Sequence, residues 1–345
     1  MITQNYKLSI VILFCDKDYK FLPDLLKNIN EAIKINYEII LIDNREKEYN
    51  KDLKVNGYHF SIYQFGYNAT QVQGRKKGIE LATGKYIWFV DADDKVKSVA
   101  CEKLLNENYD IIVFNSNSIC SFRERLLTKE IFNNSGVQLW NKWIKREVLQ
   151  KVEAHITDNI YGSASEDTLL VIGSLKYGKS ILFTTEDIYY YDKERSFCCR
   201  PEIKDVEHFK RIINGHDVIT NCIINMLSAE DKSKLELGDF LVNDCSFFID
   251  KLAIANKEII EDCINILSEY FTEDQIIKAW RLFSAGNIAW TKEKWMYTKE
   301  LLQKRFPDKS NEFIFISKRT YYNIIEGKRV FQKEELFEAL PPFKE

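Results

Sequence analysis

Apolar residues in the first hundred positions fall in short, nearly continuous runs. Leu8 to Cys15, Tyr37 to Asn44 and Tyr86 to Val90 are three of these runs, each flanked by polar residues. Such runs predict buried parallel strands, because a strand covered on both faces needs no alternation of polar positions. Between the second and third, Gln71 to Gly84 reads as a helix, with Gly84 expected to stop it before the next strand. Strand and helix in alternation imply an α/β fold whose parallel sheet binds ligands at the C-terminal ends of its strands. From about residue 202 the spacing changes: Phe209, Ile212, Ile213, Val218, Ile219, Cys222 and Ile223 recur at three and four. Further helices are expected over 256–270, 273–284 and 292–306. The chain is therefore read as an α/β domain over 1–200 and a helical domain over 201–345.

The strand ends carry the chemistry. Asp43 closes the second run, and the third runs directly into Asp91, Asp93 and Asp94. Crowded carboxylates raise one another's energy unless a cation sits among them, and hard oxygen ligands suit Mg²⁺ or Mn²⁺. A cation held there could offset the charge of a diphosphate. The plain structural alternative is a solvated turn or a helix cap.

Composition removes several other classes. A formal net charge of -3 over 345 residues argues against a nucleic-acid binder, and 45% hydrophobic residues with 13% aromatics argue against a disordered chain. The eight cysteines include no Cys-x-x-Cys pair and read as free thiols in a reducing compartment. The four histidines are scattered without ligand spacing, so no zinc site is expected. With no secretory signal ahead of the first strand and no apolar run of bilayer length, the expected location is the cytoplasm, at most touching a membrane surface.

Several motifs in order resemble the inverting, metal-dependent glycosyltransferases of family 2, which have the GT-A fold. Gly74-Arg75-Lys76-Lys77-Gly78-Ile79 is similar to the family's Ala-Arg-Asn-x-Gly-Ile helix, and Gly84 to Asp94 to its Gly-x-Tyr-Ile-x-Phe-x-Asp-x-Asp-Asp strand. Trp140-Asn141-Lys142 with Arg146 resembles its Trp-Asn-Lys-x-x-x-Arg element. Glu166-Asp167 resembles the pair that carries the catalytic base, and Ile188 to Ser196 the strand that closes the catalytic domain. The likeness covers roughly residues 7 to 200. It departs from the family at Phe14-Cys15-Asp16-Lys17, where Pro-x-Tyr-Asn is usual, and at Lys76 in place of Asn.

The resemblance implies a GT-A domain that uses a nucleoside diphosphate sugar, with a UDP-sugar favoured, and Mn²⁺ or Mg²⁺. It implies Asp93 as metal ligand, with Asp91 reaching the metal or the ribose, and Ala92 between them at the nucleotide sugar. Asp43 would accept a hydrogen bond from the base, with Phe14 and Asp16 at the altered motif beside it. Arg75, Lys142 and Arg195 would stand near the diphosphate. Asp167 would serve as general base, with Glu166 as fallback; both also read as the acidic first turn of a helix capped by Ser165. The implied acceptor is a saccharide, lipid-linked saccharide or glycan hydroxyl in bacterial surface glycan synthesis.

Two other classes stay open. One is a non-catalytic sugar-nucleotide-binding assembly subunit, and the other a nucleotidyltransferase, although no glycine precedes Gly57 to form a phosphate loop. The helical domain is expected to serve acceptor binding or assembly, including self-association. Its Trp280, Trp290, Trp295 and Tyr297 read first as packed core and second as an acceptor or membrane platform.

Overall fold

The computed structural model describes residues 6–45, 60–97, 101–117, 119–157, 166–192, 203, 205–281, 290–325 and 328–340. Its first elements are β1 (Leu8–Phe14), α1 (Leu22–Ala32), β2 (Tyr37–Asp43), β3 (Phe60–Gln64), α2 (Gln71–Leu81), β4 (Tyr86–Asp91) and β5 (Lys95–Val96). There follow α3 (Cys101–Asn106), β6 (Ile111–Val113), β7 (Cys120–Phe122), α4 (Lys129–Ser135), β8 (Lys142–Lys145) and α5 (Arg146–Glu153). Then come α6 (Glu166–Tyr177), β9 (Ile181–Phe183) and β10 (Tyr189–Tyr190).

Among the described residues one sheet has eight strands in the order β3-β2-β1-β4-β8-β6-β9-β7. Its first four strands run parallel, and β8 pairs antiparallel with both β4 and β6. In β1, Leu8, Ile10, Val11 and Ile12 have no exposed surface, as the nearly continuous apolar run requires. The polar exception is Ser9. Its Oγ donates to Glu38 Oε1 at 2.6 Å and accepts from the Gly84 N–H at 2.8 Å.

Helix α2 begins with a capping box: the Thr70 side chain accepts from Gln73 N, and the Gln73 side chain accepts from Thr70 N. Its glycine face lies tight on the sheet. A Cβ at Gly78 would stand 2.4 Å from Val11 Cγ1, so the helix can come this close only without a side chain there. The helix ends at Leu81, ahead of Gly84. Gly84 therefore stops nothing; it is required because a Cβ would stand 2.7 Å from the Ser9 backbone nitrogen.

The expected closing strand is also different. Residues 193–196 lie outside the described residues; among the described ones of that stretch Tyr189 and Tyr190 form a strand, and they pair with Val96 and Lys95 of β5 outside the main sheet.

The remaining elements are α7 (Val206–Met226), α8 (Ala229–Leu235), α9 (Leu237–Ile254), α10 (Ile260–Tyr270), α11 (Glu273–Arg281), α12 (Lys292–Arg305) and an antiparallel pair, β11 (Ile316–Ile325) and β12 (Lys328–Glu338). The chain forms two compact units, residues 1–199 with 214–235 and residues 200–213 with 236–345. Residues 214–235, which the sequence reading places in the helical domain, cluster with the first unit. In the first unit, Asp231 of α8 meets Lys176 at 2.6 Å and also pairs with Arg125. In the second, Trp280, Trp290 and Trp295 are buried together, with Trp280 stacked on Trp295 at 5.7 Å. These tryptophans are core, which leaves no platform on them.

Candidate active site

The strand register sets the site. Phe14 lies opposite Asp43 across β1 and β2, and Leu13 opposite Asp91 across β1 and β4, so both acids stand at the C-terminal edge of the parallel strands. Asp43 has no exposed surface, and both of its oxygens are occupied. Oδ1 accepts from Arg45 N at 3.0 Å and Nε at 2.8 Å, and Oδ2 accepts from Nη2 at 2.8 Å. The Arg45 guanidinium carbon lies 4.4 Å from the Tyr19 ring centre and 5.2 Å from that of Phe14. Its Nη1 is 4.0 Å from the exposed Asp16 carboxylate. Phe14, Asp16 and Asp43 are thus brought together, but around Arg45, a residue that no motif had marked.

The acids after β4 divide by role. Asp91 and Asp93 are half-buried. Asp94 is buried and committed: its Oδ2 accepts from Tyr189 Oη at 2.7 Å and its Oδ1 from Asp192 N at 2.9 Å. The same tyrosine oxygen accepts from Asp91 N at 3.1 Å, and its ring stacks on Trp140 at 4.8 Å. Ala92 packs in the core beneath the turn. Asn28 of α1 both donates to and accepts from the Val96 backbone, fixing β5. Asp94 and Tyr189 therefore brace the turn from which Asp91 and Asp93 project. Sequence reading gave Tyr189 no role, since a tyrosine in a run of three offers no distinguishing signal.

Helices bring the remaining charges in. α5 packs against both α2 and α6, and across this layer Arg75 Nη2 lies 2.9 Å from Asp167 Oδ1 and 3.5 Å from Glu166 Oε1. The guanidinium also covers the Phe89 ring at 5.3 Å. Burial opposes the Arg75 charge, but Asp167, Glu166 and Asp91 more than offset it, and its pKa is raised. One cation does not neutralise three acids. Burial, against the pull of Arg75 and with added repulsion from Asp167, Asp94 and Asp93, lifts Asp91 to about 7. Burial and then Asp167 lift Glu166 to about 8, again against Arg75. Arg75 Nε is enclosed without a hydrogen-bond partner, while Asp167 Oδ1 is held by the ion pair with Nη2. Arg75 is thus turned toward the acidic pair, not held open for a diphosphate.

Lys142 is corrected outright. Its side chain is buried, and Nζ donates to Ser135 O at 2.8 Å, Gln138 O at 2.5 Å and Asn141 Oδ1 at 2.9 Å. Burial draws its pKa down to about 7, while three acceptors, one for each N–H, match the charged form. No charge is left for a ligand. Arg195 and Ser165 lie outside the described residues.

Among the described residues no three acidic, histidine or cysteine side chains converge to hold a metal by themselves. Asp91 and Asp93 offer hard oxygens on a braced turn. Mg²⁺-type ions usually take one or two carboxylates and complete their shell with water and substrate phosphates, so this donor set fits such an ion.

A family profile described as Glycosyl transferase family 2 matches residues 9–159, from β1 through the acidic turn to the end of α5. Residues 9–159 thus carry a glycosyl transferase family 2 domain. Members of this family commonly use a divalent metal ion. The chain is 28% identical to the cholesterol galactosyltransferase of Borreliella burgdorferi over 186 residues, which are 44% of the chain and 51% of the relative. It is 27% identical over 134 residues to the uncharacterized glycosyltransferase YibD of Escherichia coli K12, covering 35% of the chain and 38% of YibD. The matches thus span about half the length of the first relative and less of the second. S. aureus TarS superposes with a TM-score of 0.57 at 18% identity, covering 96% of this chain and 60% of TarS. TarS 1–349 in complex with UDP gives 0.55 at 14%, covering 94% and 96%. The shared architecture is the GT-A α/β fold followed by a helical region. No described helix is long and apolar enough to cross a membrane.

Proposed function

We propose that this chain transfers a sugar, with inversion, from a nucleoside diphosphate sugar to an acceptor hydroxyl. The observation that carries the reading is the convergence of Asp91, Arg75, Glu166 and Asp167 at one edge of the sheet. UDP-sugar is the favoured donor, which the UDP complex of a protein with this fold supports. The acceptor is a saccharide, lipid-linked saccharide or glycan in bacterial surface glycan synthesis, met at the cytoplasmic side of the membrane. The second unit serves acceptor binding or assembly.

Asp91 and Asp93 would hold Mn²⁺ or Mg²⁺, which when bound offsets the negative charge developing on the diphosphate leaving group. The acceptor hydroxyl is a poor nucleophile until its proton is removed during attack. Two carboxyls at the start of α6 are the candidates to take it, and their environments differ. Glu166 is only 7% exposed and, lifted to about 8, holds its proton at neutral pH. Asp167 keeps 30% of its side chain exposed and is paired with a guanidinium, so it is the carboxylate suited to be the base. Arg75 fixes its position, and the first turn of α6 gives it a rigid mount.

UDP release from a panel of UDP-sugars with Mn²⁺, with and without acceptor extracts, tests the activity. Asp167→Asn should bind UDP as the wild type does and lose turnover by about 10² to 10⁴. Equal turnover in this variant would remove Asp167 from the chemistry; lost UDP binding would move it into the donor site.

A further inference from the structure

In the second unit the start of α10 packs against the end of α12 and leaves a hollow of about 250 Å³ between them. Three residues from each helix line it: Glu261, Ile264 and Asn265 of α10, and Leu301, Lys304 and Arg305 of α12. Both triplets are spaced i, i+3 and i+4, so each is a single helix face. Ile264 and Leu301 are the apolar part of the lining and belong to the core of the unit, while the other four side chains are polar and exposed. A water takes about 30 Å³ of the liquid, so the hollow has room for a small molecule and not merely for one or two waters. We propose that it binds a small phosphate ester bearing hydroxyl groups, with the phosphate on Lys304 and Arg305 and the hydroxyls on Glu261 and Asn265.

Several other cations of this unit are engaged. Lys257 pairs with Glu293 at 2.6 Å, Lys309 pairs with Asp274, and Lys294 donates to Ala255 O at 2.8 Å. Among the described residues the Lys304 and Arg305 side chains have neither an ion pair nor a hydrogen bond, and the same holds for Glu261 on the same hollow. Lys304 and Arg305 in the last turn of α12 complement its dipole, as Glu261 does in the first turn of α10. Side chains turned to open solvent would serve the dipoles equally, so the dipoles do not account for two cations and a carboxylate that share one hollow unpaired. A molecule anionic at one end and hydroxylated at the other engages all three. Phosphate suits the cationic end, because the Arg fork takes two of its oxygens and the Lys ammonium a third, where a carboxylate serves the fork alone. Glu261 offers acceptors only, so it opposes bare phosphate and rewards an ester whose hydroxyls donate to it.

The test is calorimetric titration of the full chain with glycerol 1-phosphate and with inorganic phosphate. Wild type should bind the ester more tightly. Lys304→Gln and Arg305→Gln should each weaken the ester by about 3- to 10-fold, a charge-assisted contact discounted for solvent, and the double variant should abolish binding. Glu261→Gln should tighten inorganic phosphate and weaken the ester, closing the gap between them. Lys292→Gln, about 18 Å away along α12, should change neither. All four positions are exposed, so none of these changes removes a packed side chain. Co-sedimentation with phosphatidylcholine vesicles, with and without phosphatidylglycerol, separates the free ester from the same chemistry on a lipid headgroup: retention that needs phosphatidylglycerol and is lost in the double variant assigns the headgroup. Wild type that binds neither the ester nor, through these two cations, the vesicles overturns the proposal. Equal affinity for ester and inorganic phosphate would mean an adventitious ion only, and equal weakening by Lys292→Gln a general surface field. Either overturns it, as does wild-type affinity in Lys304→Gln and Arg305→Gln.

Discussion

Replacing Arg75 by Met removes a buried cation that faces Asp91, Glu166 and Asp167. Breaking a buried ion pair from one side costs about 3–5 kcal/mol, because the partner charge is left uncompensated. For a unit of this size each kcal/mol shifts the midpoint by about 2–4 °C, so the first thermal transition at pH 8 should fall by about 6–20 °C. The size of the loss should depend on pH. Asp91 near 7 and Glu166 near 8 are raised above their ordinary carboxyl values, so from about pH 4 to pH 8 the folded chain holds more protons than the unfolded one. Stability from these two groups is full at the acid end of that window and is lost as pH rises. Without Arg75 both acids titrate higher still, and the decline steepens. At pH 5.5 both are protonated in either protein, leaving mainly the pair with Asp167, worth about 1.5–3 kcal/mol as a hydrogen bond to a charged group. Scanning calorimetry of both proteins from pH 5.5 to 8 measures the gap. A gap that stays constant across this range would refute the claim that Arg75 works against titrating acids, and the absence of any gap would refute its place in the cluster.

Lys142→Met strands three acceptors in the core and should destabilise the first unit by about 2–4 kcal/mol while leaving UDP affinity unchanged; a loss of UDP affinity with no change in melting would return Lys142 to the donor site. Tyr189→Phe deletes the hydroxyl that joins Asp91 N to Asp94 Oδ2. It should cost about 1–3 kcal/mol in thermal unfolding and weaken Mn²⁺-dependent UDP binding in titration, whereas unchanged binding would show that the acidic turn holds itself. Asp167→Asn, assayed as described above, separates base chemistry from donor binding.

Much of the first unit could be read from the chain. β1, β2 and β4 fall where the nearly continuous apolar runs stand, because a strand covered on both faces leaves its signature in consecutive residues. The acids at their ends followed from position alone. What the sequence withheld were partnerships between side chains far apart in number. Nothing local says that Asp94 will be claimed by Tyr189, 95 residues later, or that Lys142 will turn inward to the carbonyls of Ser135 and Gln138. Arg45 was hidden differently: it stands two residues past the strand, outside every periodic pattern, and its role depends on the rings of Phe14 and Tyr19 from another strand and loop. Gly84 was misread because a glycine after a helix looks the same whether it supplies a left-handed turn or merely clears a neighbouring backbone.

The charged groups of this unit can be sorted by whether their hydrogen-bonding capacity is used. Asp94, Lys142 and Asp110 are fully engaged, the last by Lys145 at 2.8 Å and the Lys179 N–H at 2.7 Å, and each of them fixes one segment to another. Buried polar atoms are normally satisfied, so an enclosed one without a partner asks for an explanation. Among the described charged side chains of the first unit only Arg75, at Nε, is left with such an atom and no ion-pair contact on it, and it is the residue that meets Asp167 across α2 and α6. A fold that needed this pair only for packing could have satisfied that atom, as it does for Lys142. In the reading proposed above a bound molecule would supply the missing partner, which is why that proposal sets its chemistry beside Arg75, at Asp167, rather than at the more numerous acids of the turn after β4.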